Sequence, residues 1–532
     1  MRYSDHGNIK GVPYKIEYNE TGNVTKEIKP ENYDTASGDG VETIYAYDTL
    51  GRLIQVTDEL GNVAEKRIYN SYGELTKVID AAGYQSASND TARYGVEYTY
   101  DIGGRVTSIV TPQAKAKAKT SVTYTYDSFG NVITQTDGEG NTTDYHRDPW
   151  GKVIRVTDAN SVNTFYTYDY AGNITSTTDG NGNTTSYVYN SMNLLSEMID
   201  PMNQEALYFY DLQGRLVKEI DRDGQEIAYE YNSDNQLTLK YADESASGQD
   251  PQALYNKYLY NLDGTLLAAI TPETVDQFSY TPNGNLYQKI HNGELELEYG
   301  YNMNGSITSV KAKSQMETRY TYDITGRLKA VHDGQTQIAQ YSYNPDSTIS
   351  QILYNTGANV TYQYDRDKNI TDLINRNQQG DIISSYGYTY DNNGNQKSKT
   401  ENGETTYYTY DNLNRLSSVQ YPTAGTENYN YDNAGNRLAK TNYNAAGGVP
   451  TVNISVSYTY DSLNRMTESL TDDILLAYKG RTAYEYDSNG SLLSETTTKL
   501  DYATEQILST DPATGLPVQP LYADRHQRVL DC

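Results

Sequence analysis

The chain has 532 residues and a formal net charge of −28, with 56 Tyr, 4 Phe, one Trp and one Cys. This acidic balance argues against nucleic acids and anionic membranes as partners, because both require basic surfaces. Only 36% of the residues are hydrophobic, too few for several conventional cores, yet the chain is too aromatic to be disordered. Tyrosine must therefore supply much of the buried apolar area, with its hydroxyl bonded to water or to a partner.

The sequence shows neither an export signal at its N-terminus nor a membrane-spanning segment. The first residues, MRYSDHGNIK, lack a basic-then-apolar export signal, and no apolar run reaches the roughly 18 residues of a membrane helix. The single cysteine, Cys532, excludes a disulfide within the chain. Since both ends begin or stop inside a pattern, we expect a fragment of a longer extracellular or cell-surface bacterial protein, with any export signal outside it.

From Tyr14 onwards the chain repeats one unit, which we number from the Asp or Asn that follows a tyrosine and call the anchor; Thr281 is the one anchor that is neither Asp nor Asn. There are 21 anchors, most often 21 residues apart, and such a fixed period is typical of stacked architectures. They are Asn19, Asp48, Asn70, Asp101, Asp127, Asp148, Asp169, Asn190, Asp211, Asn232, Asn261, Thr281, Asn302, Asp323, Asn344, Asp365, Asp391, Asp411, Asp432, Asp461 and Asp487. We assign the repeat array to 14–493, a lead-in inside an upstream repeat to 1–13 and a degenerate tail to 494–532.

The residues after each anchor predict a tight turn. Three residues after the anchor, 15 units have Gly and four have Asn, with Ser347 and Lys368 as the exceptions. Gly or Asn at this place suits a left-handed residue that closes a type I turn with a bulge, and Asp or Asn at the first place can bond the backbone two residues on. Prolines directly after a turn-opening residue support the same geometry: Pro149, Pro201, Pro282 and Pro345.

The residues around the turn predict two strands. Tyrosine stands one residue before the anchor in 20 units and three residues before it in 18, as in Tyr124 and Tyr126, which places both on one face of a strand. Five residues after the anchor, 19 units have Val, Leu, Ile or Met. In several units a second, looser turn opens ten residues after the first, at Asp58, Asp137, Asp158, Asp179, Asp200 and Asp221. The unit is therefore a β-hairpin of about 21 residues, and the chain is all-β.

Stacking of the hairpins predicts the architecture. Twenty-one hairpins give about 42 strands and a strip of roughly 200 Å, which would curl to a diameter on the order of 60 Å if it closed in one turn. We expect a long spiralling sheet around a hollow, with tyrosine rings of consecutive units stacked in ladders. Longer spacings between anchors hold polar inserts that we predict to be lengthened surface turns: TPQAKAKAKTS, ADESASGQDPQAL and YNAAGGVPTVN.

The unit itself resembles the YD or RHS (rearrangement hotspot) repeat. The resemblance rests on YTYDSLNRMTESL, on YAYDTLGRLIQVTDELGN and on the G-R-L or G-N-x after the turn, and it runs from about Tyr14 to Leu493. Similar repeats occur in bacterial Rhs polymorphic toxins, wall-associated proteins, shell components of insecticidal toxin complexes, and teneurins. The resemblance implies a β-sheet that spirals into a hollow shell, which in the bacterial toxins encloses a C-terminal toxin domain.

The tail departs from this family. Members with a toxin end the shell in a motif rich in Asp-Pro-x-Gly and Asn-Pro, whereas this tail reads STDPATGLPVQPLYADRHQRVLDC. Asp511-Pro512 with Gly515 is a faint echo of that motif, and the segment around Asp524 looks like a degenerate repeat. Self-cleavage and a cargo within this chain are therefore not expected.

Candidate reactive groups have simpler explanations. The acid pairs Asp221/Asp223 and Asp472/Asp473 are interpreted as turn-forming or solvated carboxylates. DGNGN at Asp179 imitates the start of a calcium loop but lacks its later Gly and Glu. The histidines share no spacing that suits a metal or a nucleophile: His6, His146, His291, His332 and His526. We predict no catalytic residue, no metal site and no cofactor.

Two functions follow from these predictions. The first is a non-catalytic shell segment of a bacterial secreted YD/RHS-repeat protein, which encapsulates or presents a toxin or effector encoded outside this chain. The alternative is a cell-surface adhesion or carbohydrate-binding protein whose tyrosine-rich wall binds surface glycans. Neither involves nucleic acid or membrane insertion by this segment.

Overall fold

The fold is almost entirely β-structure, as the sequence predicts. The structure, a computed structural model, describes residues 3–9, 12–37, 39–85, 94–242, 255–313, 316–423, 425–444, 451–500, 502 and 521–522. These residues form 46 strands, two short α-helices and one 3-10 helix. One antiparallel sheet contains 44 of the strands, and β4 and β5 form a separate ribbon. Within the sheet each strand pairs with the next one along the chain, so the tandem-hairpin architecture is confirmed.

The strands before residue 271 make up what we call the first winding. They are β1 Tyr3–Ile9, β2 Val12–Tyr18, β3 Val24–Ile28, β4 Tyr33–Asp34, β5 Asp39–Gly40, β6 Thr43–Tyr47, β7 Leu53–Thr57, β8 Val63–Tyr69, β9 Leu75–Asp80, β10 Val96–Tyr100, β11 Val106–Val110, β12 Val122–Tyr126, β13 Val132–Asp137, β14 Thr142–Arg147, β15 Val153–Thr157, β16 Asn163–Tyr168, β17 Ile174–Thr178, β18 Thr184–Tyr189, β19 Leu195–Ile199, β20 Glu205–Tyr210, β21 Leu216–Ile220, β22 Glu226–Tyr231, β23 Leu237–Ala242, β24 Tyr255–Tyr260 and β25 Leu266–Ile270. The helices also lie here: the 3-10 helix Pro30–Asn32, α1 Ala81–Gln85 and α2 Pro112–Ala116.

The remaining strands make up the second winding. They are β26 Val275–Tyr280, β27 Leu286–His291, β28 Glu294–Tyr301, β29 Ile307–Ala312, β30 Glu317–Tyr322, β31 Leu328–Asp333, β32 Thr336–Tyr343, β33 Ile349–Tyr354, β34 Asn359–Tyr364, β35 Ile370–Arg376, β36 Ile382–Tyr390, β37 Gln396–Glu401, β38 Glu404–Tyr410, β39 Leu416–Tyr421, β40 Gly425–Tyr431, β41 Arg437–Asn444, β42 Thr451–Tyr460, β43 Met466–Asp473, β44 Tyr478–Tyr486, β45 Leu492–Leu500 and β46 Leu521–Tyr522.

The anchor turns have the predicted geometry. At Asp127 the backbone N–H of Gly130 donates to the anchor carbonyl at 3.2 Å, and the strand register shifts by one residue at the adjoining bulge. The residue three after the anchor has a positive φ in all 21 units. This includes the two exceptions to the Gly/Asn pattern, Ser347 at 66° and Lys368 at 67°. The turn conformation therefore holds where the favoured residue is missing.

The second turns are tighter than the sequence analysis expects. In the turn at Asp137 the N–H of Gly140 donates to the Asp137 carbonyl at 3.1 Å, and Gly140 has a φ of 95°. The turn at Asp200 is the same, with Asn203 at 62°. The expectation of a looser turn is wrong for the six units that open it with Asp, because Asp at the first place and Gly, Asn or Ser at the fourth rebuild the anchor turn. We call these six the return turns.

The sheet winds on itself, and turns of one winding contact turns of the next. The turn between β13 and β14 contacts that between β36 and β37, the β17–β18 turn contacts the β40–β41 turn, and the β21–β22 turn contacts the β44–β45 turn. The bonds run from Asn393 Nδ2 to Asp137 Oδ2 at 2.6 Å, from Asn181 Nδ2 to Asp432 Oδ2 at 2.9 Å, and from Asn489 Nδ2 to Asp221 Oδ2 at 2.7 Å. In each case 23 strands separate the two turns, so 23 strands make one winding.

The number of strands in one winding sets the diameter of the hollow. At about 4.8 Å per strand, one winding has a circumference of about 110 Å and a diameter of about 35 Å. The diameter on the order of 60 Å applies only to a strip that closes in one turn, whereas the 44 strands make nearly two windings. Face-packed sheets lie about 10 Å apart, so walls about 35 Å apart leave a hollow of about 25 Å. Within the described residues β1 pairs with β2 and β46 with β45, and the sheet is not closed.

The inserts differ in what the structure describes. TPQAKAKAKTS is more than a surface turn: α2 begins at Pro112, the Thr111 side chain accepts from the backbone of Ala114, and Pro112 and Ala114 are buried. Most of the inserts at 242–254 and 443–453, and most of the tail at 494–532 with Cys532, lie outside the described residues. The boundaries at 13 and 493 stay predictions. No helix in the described ranges is long and apolar enough to cross a membrane.

Candidate functional site

A tyrosine hydrogen bond joins most hairpins to the one before them. Tyr126 donates its hydroxyl hydrogen to the carbonyl oxygen of Val106 at 2.6 Å, and Tyr343 donates to that of Leu328 at 2.6 Å. Eighteen of the 20 tyrosines directly before an anchor make this bond. The acceptor is always the residue five after the preceding anchor, so the bond has the period of the repeat.

Two further observations support this bond as the contact that joins successive hairpins of the sheet. Where Arg147 replaces the tyrosine, its Nη2 donates to the carbonyl of Val132 at 3.3 Å, the same acceptor position. Burial raises the pKa of Tyr126 and Tyr343 above the ordinary value of 10.0. Both hydroxyls therefore stay protonated and able to donate at any physiological pH.

Tyrosine stacking between units is not the main contact. In the described part of the chain the stacked tyrosine pairs are Tyr299 with Tyr301 and Tyr362 with Tyr364, each within one strand, at 6.5 Å between ring centroids. The expectation of ladders stacked from unit to unit is wrong for the described residues, and in seven units an Arg or Lys of the preceding anchor turn lies over the ring instead. Arg105, for example, lies 4.7 Å from the centroid of the Tyr126 ring.

That cation belongs to a charged clamp on the anchor turn. Asp101 Oδ1 accepts from the backbone N–H of Gly103 and Arg105, and Oδ2 accepts from Arg105 Nε at 2.7 Å. The Arg105 side-chain bond holds the pKa of Asp101 below its ordinary value of 3.8. Six units have the same Asp–Arg pair: Asp48–Arg52, Asp101–Arg105, Asp211–Arg215, Asp323–Arg327, Asp411–Arg415 and Asp461–Arg465. Sequence reasoning missed this clamp, although Arg recurs four residues after the anchor.

The contact between the two windings, which we call the seam, is polar and close. Glu139 Oε1 accepts from the backbone N–H of Asn392 at 2.7 Å. A Cβ on Gly138 would lie 2.6 Å from the carbonyl oxygen of Asn392, and one on Gly180 would lie 2.3 Å from that of Asn433. Glycine is therefore required at both places for the windings to approach.

Several residues considered as reactive groups lie at this seam. Asp223 Oδ1 accepts from the backbone N–H of Ser488 at 2.9 Å, and Asp221 receives the bond from Asn489. In DGNGN, Asp179 Oδ2 accepts from Asn464 at 3.2 Å. These carboxylates are turn-formers, as interpreted, and they also hold the next winding. No pattern within one unit reveals this second role, since the partners are more than 250 residues apart.

The other candidates do not form a common site, and the buried Nδ1 of His332 has no hydrogen-bond partner among the described residues. Asp472 lies 3.5 Å from Lys479, and the buried Asp473 accepts from the backbone N–H of Leu476. His146 bonds Arg155 at 2.8 Å. The side chains of His6 and His526 lie outside the described residues.

One set among the described residues has the ligand types of a metal site. Asp276, His291 and Glu296 have ligand atoms within 4.8 Å of one another, and His291 Nδ1 lies 2.7 Å from Asp276. Lys289 Nζ lies 2.8 Å from Glu296 and 3.6 Å from Asp276. One ammonium group thus already forms ion pairs with both carboxylates.

Comparison with known proteins gives matches in sequence and in fold. The family model described as Teneurin YD-shell matches residues 84–247, 289–385 and 359–475, and that of the RHS repeat matches residues 18–63. The curated double-stranded DNA deaminase toxin A of Burkholderia cenocepacia (strain H111) is 26% identical over 119 residues, which are 22% of this chain and 7% of that protein.

One solved structure shares the fold over most of this chain, and a second is a weaker match. The crystal structure of TcdB2-TccC3 without the hypervariable C-terminal region is similar over 95% of this chain and 30% of that chain, with 16% identity and a TM-score of 0.56. The Tc holotoxin pore of Photorhabdus luminescens is similar over 91% of this chain and 32% of that chain, with 14% identity and a TM-score of 0.49. This chain therefore spans about a third of these solved chains.

Proposed function

Because the chain belongs to the teneurin YD-shell family, we propose that it is a structural shell segment that encloses or presents a toxin or effector polypeptide encoded outside this chain. The segment acts without catalysis of its own. Its place is outside the cell or on the cell surface of a bacterium, as part of a longer secreted protein.

The observation that carries this proposal is the hollow of the two-winding sheet. A folded domain of 100 residues has a radius of gyration of about 13 Å, and hence a diameter of about 34 Å. The hollow of about 25 Å is narrower than that. A polypeptide held inside this segment is therefore extended or only partly folded.

The wall is built to keep such a hollow open. Tyrosine bonds join most hairpins to their predecessors, and the seam joins the windings, which supports a wall that holds its shape around a hollow. The carboxylates that could serve hydrolysis are engaged in these contacts, which supports a structural role. The names of the similar proteins add a toxin context: one is a deaminase toxin, and one solved structure lacks a hypervariable C-terminal region.

Protease protection tests enclosure directly. A flexible reporter segment with trypsin sites is appended after Cys532, and its cleavage is compared in the intact chain and in a variant with an opened seam, Gly138→Leu/Gly180→Leu. We expect the reporter to be cleaved at least ten times more slowly on the intact chain than on the variant or as a free peptide. Equal cleavage rates in all three would contradict enclosure.

The adhesive alternative stays a prediction. A glycan array probed with the folded chain tests it, with Tyr→Ala substitutions on one face of the wall as the control. Saturable binding that these substitutions abolish would favour adhesion over enclosure.

A further inference from the structure

The asparagines that join the two windings share one sequence feature. Asn181, Asn393 and Asn489, whose side-chain amides donate across the seam, are each followed directly by glycine. Asn stands at the second place after the anchor in four turns of the second winding and in no turn of the first: Asn283, Asn304, Asn393 and Asn489. The anchor turns of the second winding are the ones that face the first winding, so this choice of Asn follows the seam and not the turn itself.

An asparagine before glycine is prone to lose its side-chain amide in water. The backbone nitrogen of the glycine attacks Cγ of the asparagine, a C–N bond forms and ammonia leaves, which closes a succinimide ring. Water then opens the ring and leaves a carboxylate on aspartate or isoaspartate. One water is consumed and one ammonia is released, with no change of oxidation state. Glycine favours the attack because it has no Cβ beside the attacking nitrogen.

Both reacting groups at Asn489 are held while the seam is closed. Its Nδ2 donates to Asp221 Oδ2 at 2.7 Å, and its Oδ1 accepts from the backbone N–H of Arg222 at 3.1 Å. The attacking nitrogen, that of Gly490, donates to the carbonyl oxygen of Asp487 at 3.1 Å. Cγ of Asn489 therefore meets this nitrogen only after the two windings have parted locally.

The amides of the other two asparagines are held in the same way. Asn393 Nδ2 donates to Asp137 Oδ2 at 2.6 Å and to Asn414 Oδ1 at 2.7 Å. Asn181 Nδ2 donates to Asp432 Oδ2 at 2.9 Å. In all three cases the nitrogen that would leave as ammonia is the atom that bonds a carboxylate of the other winding.

Loss of the amide removes the seam bond and opposes its return. An amide donates through its nitrogen, whereas an ionised carboxylate only accepts. At Asn489 the new carboxylate would stand against Asp221, where a hydrogen bond of 2.7 Å now lies. Two carboxylates that share a site in this way cannot both ionise without a large cost. A seam contact that has lost its amide therefore does not form again in the same way.

We propose that the seam opens irreversibly: local parting of the windings exposes Asn181, Asn393 and Asn489 to deamidation, and deamidation keeps the windings apart. The reaction needs water alone and no enzyme. The seam lies between two windings of this chain, so the inference holds whatever precedes or follows these residues in a longer protein. It is also independent of whether the hollow encloses a cargo.

Site-resolved deamidation of the full chain tests the protection by the seam. Peptide mass spectrometry follows the conversion of amide to acid at each Asn-Gly pair in mildly alkaline buffer. Asn402 is the internal reference, because it also precedes glycine but bonds Ser385 of an adjacent strand. Gly138→Leu, which forces the windings apart, should raise the rate at Asn393 by at least about tenfold and leave the rate at Asn402 unchanged. An unchanged rate at Asn393 would overturn the proposal.

A second variant opens another seam contact without added bulk. Asp223→Ala removes the carboxylate that accepts from the backbone N–H of Ser488 at 2.9 Å. It should raise the rate at Asn489 by about tenfold and leave Asn393 and Asn402 unchanged. This variant decides the matter if Gly138→Leu speeds conversion at every pair, which would mark general unfolding. Equal rates at Asn489 with and without Asp223→Ala would contradict protection by the seam.

An exchange of donor and acceptor tests whether deamidation keeps the seam open. Asn489→Asp imitates the product and should raise hydrogen exchange of the backbone amides at 221–225 and 487–491 by about tenfold. Asn489→Asp/Asp221→Asn restores one donor and one acceptor at the same place, since Asn opens the same kind of turn at Asn190, and should return exchange to the wild-type rate.

The matched control for this exchange is Asn402→Asp, which changes the same dipeptide outside the seam contacts. It should leave hydrogen exchange at 221–225 and 487–491 at the wild-type rate. Unchanged exchange in Asn489→Asp, or no recovery in the double variant, would overturn the proposal that deamidation holds the windings apart.

Discussion

The anchor turns at Asp127 in the first winding and at Asp432 in the second have the same backbone and different surroundings. In both, the Gly N–H donates to the anchor carbonyl at 3.2 Å, and the anchor N–H donates to the carbonyl oxygen of the Asn four residues later at 2.9 Å. Yet Phe129 at the first tip is 88% exposed, whereas Asp432 accepts a bond from Asn181 of the other winding. The repeat columns thus fix the turn, and the tip residues reflect what lies across from them.

The largest expected effect comes from adding a side-chain carbon at the seam, where the two windings leave no room for it. Gly180→Ala places a Cβ 2.3 Å from the carbonyl oxygen of Asn433 and should lower the free energy of unfolding by about 2–3 kcal/mol, as overpacking does. Gly387→Ala is the control, because its nearest neighbour outside the adjoining residues would be 3.7 Å away. Urea unfolding of both variants measures the difference, and equal losses would show that the windings do not meet at Gly180.

A smaller effect, common to both windings, tests the tyrosine bond. Tyr126→Phe and Tyr343→Phe should each cost about 1–2 kcal/mol, because a buried carbonyl loses its donor. Tyr341→Phe, whose hydroxyl makes no such bond, should cost less than about 0.5 kcal/mol. Urea unfolding again gives the values. A clear difference between the losses caused by Tyr126→Phe and Tyr343→Phe would mean that neighbouring hairpins are joined by different contacts in the two windings.

Acid should loosen the seam before it loosens the tyrosine bonds. Burial raises the pKa of Asp137, but bonds from Asn141 and Asn393 lower it more, so the pKa lies below its ordinary value of 3.8. A carboxyl with a lowered folded-state pKa contributes stability above its unfolded pKa and loses it as pH falls through the folded one. The urea concentration at the unfolding midpoint of the wild-type chain should therefore fall as the pH is lowered below about 4. Asp137→Asn should reduce that fall. Identical pH profiles would contradict a role for this carboxylate.

The smallest expected effect on the free energy of unfolding comes from exchanging Ser and Gly at the same position of two anchor turns. Ser347 has a φ of 66°, where glycine is favoured, so Ser347→Gly should raise the free energy of unfolding by about 0.5 kcal/mol. Gly130→Ser, at a φ of 93°, should lower it by about 1 kcal/mol. The two signs should be opposite in thermal or urea unfolding. Two changes of the same sign would mean that neighbours, rather than the turn, decide the preference.

The sequence predicts local structure well because each unit repeats its own constraints. Asp at the anchor and Gly three residues later specify a turn without reference to any distant residue, and even Lys368 adopts the conformation that its neighbours require. The same holds for the return turns, whose tightness could have been predicted from Asp137 and Gly140. The all-β class and the spiral followed from these turns and from the twist of long sheets.

The sequence predicts contacts between windings poorly. The partner of Asp221 is Asn489, and nothing within a unit of 21 residues marks that pair. The 23-strand winding depends on the summed twist and curvature of many strands, which no single column encodes. The apolar tips, such as Phe129, were visible in the sequence, but only the structure shows that their equivalents in the second winding are covered.

A density map of the isolated chain tests the central claim most directly. The account predicts an open spiral wall one sheet thick, with 23 strands per winding, a seam at 137–141 against 391–395, and an empty core of about 25 Å. A compact particle whose two sheets pack face to face at about 10 Å, with no central cavity, would contradict it.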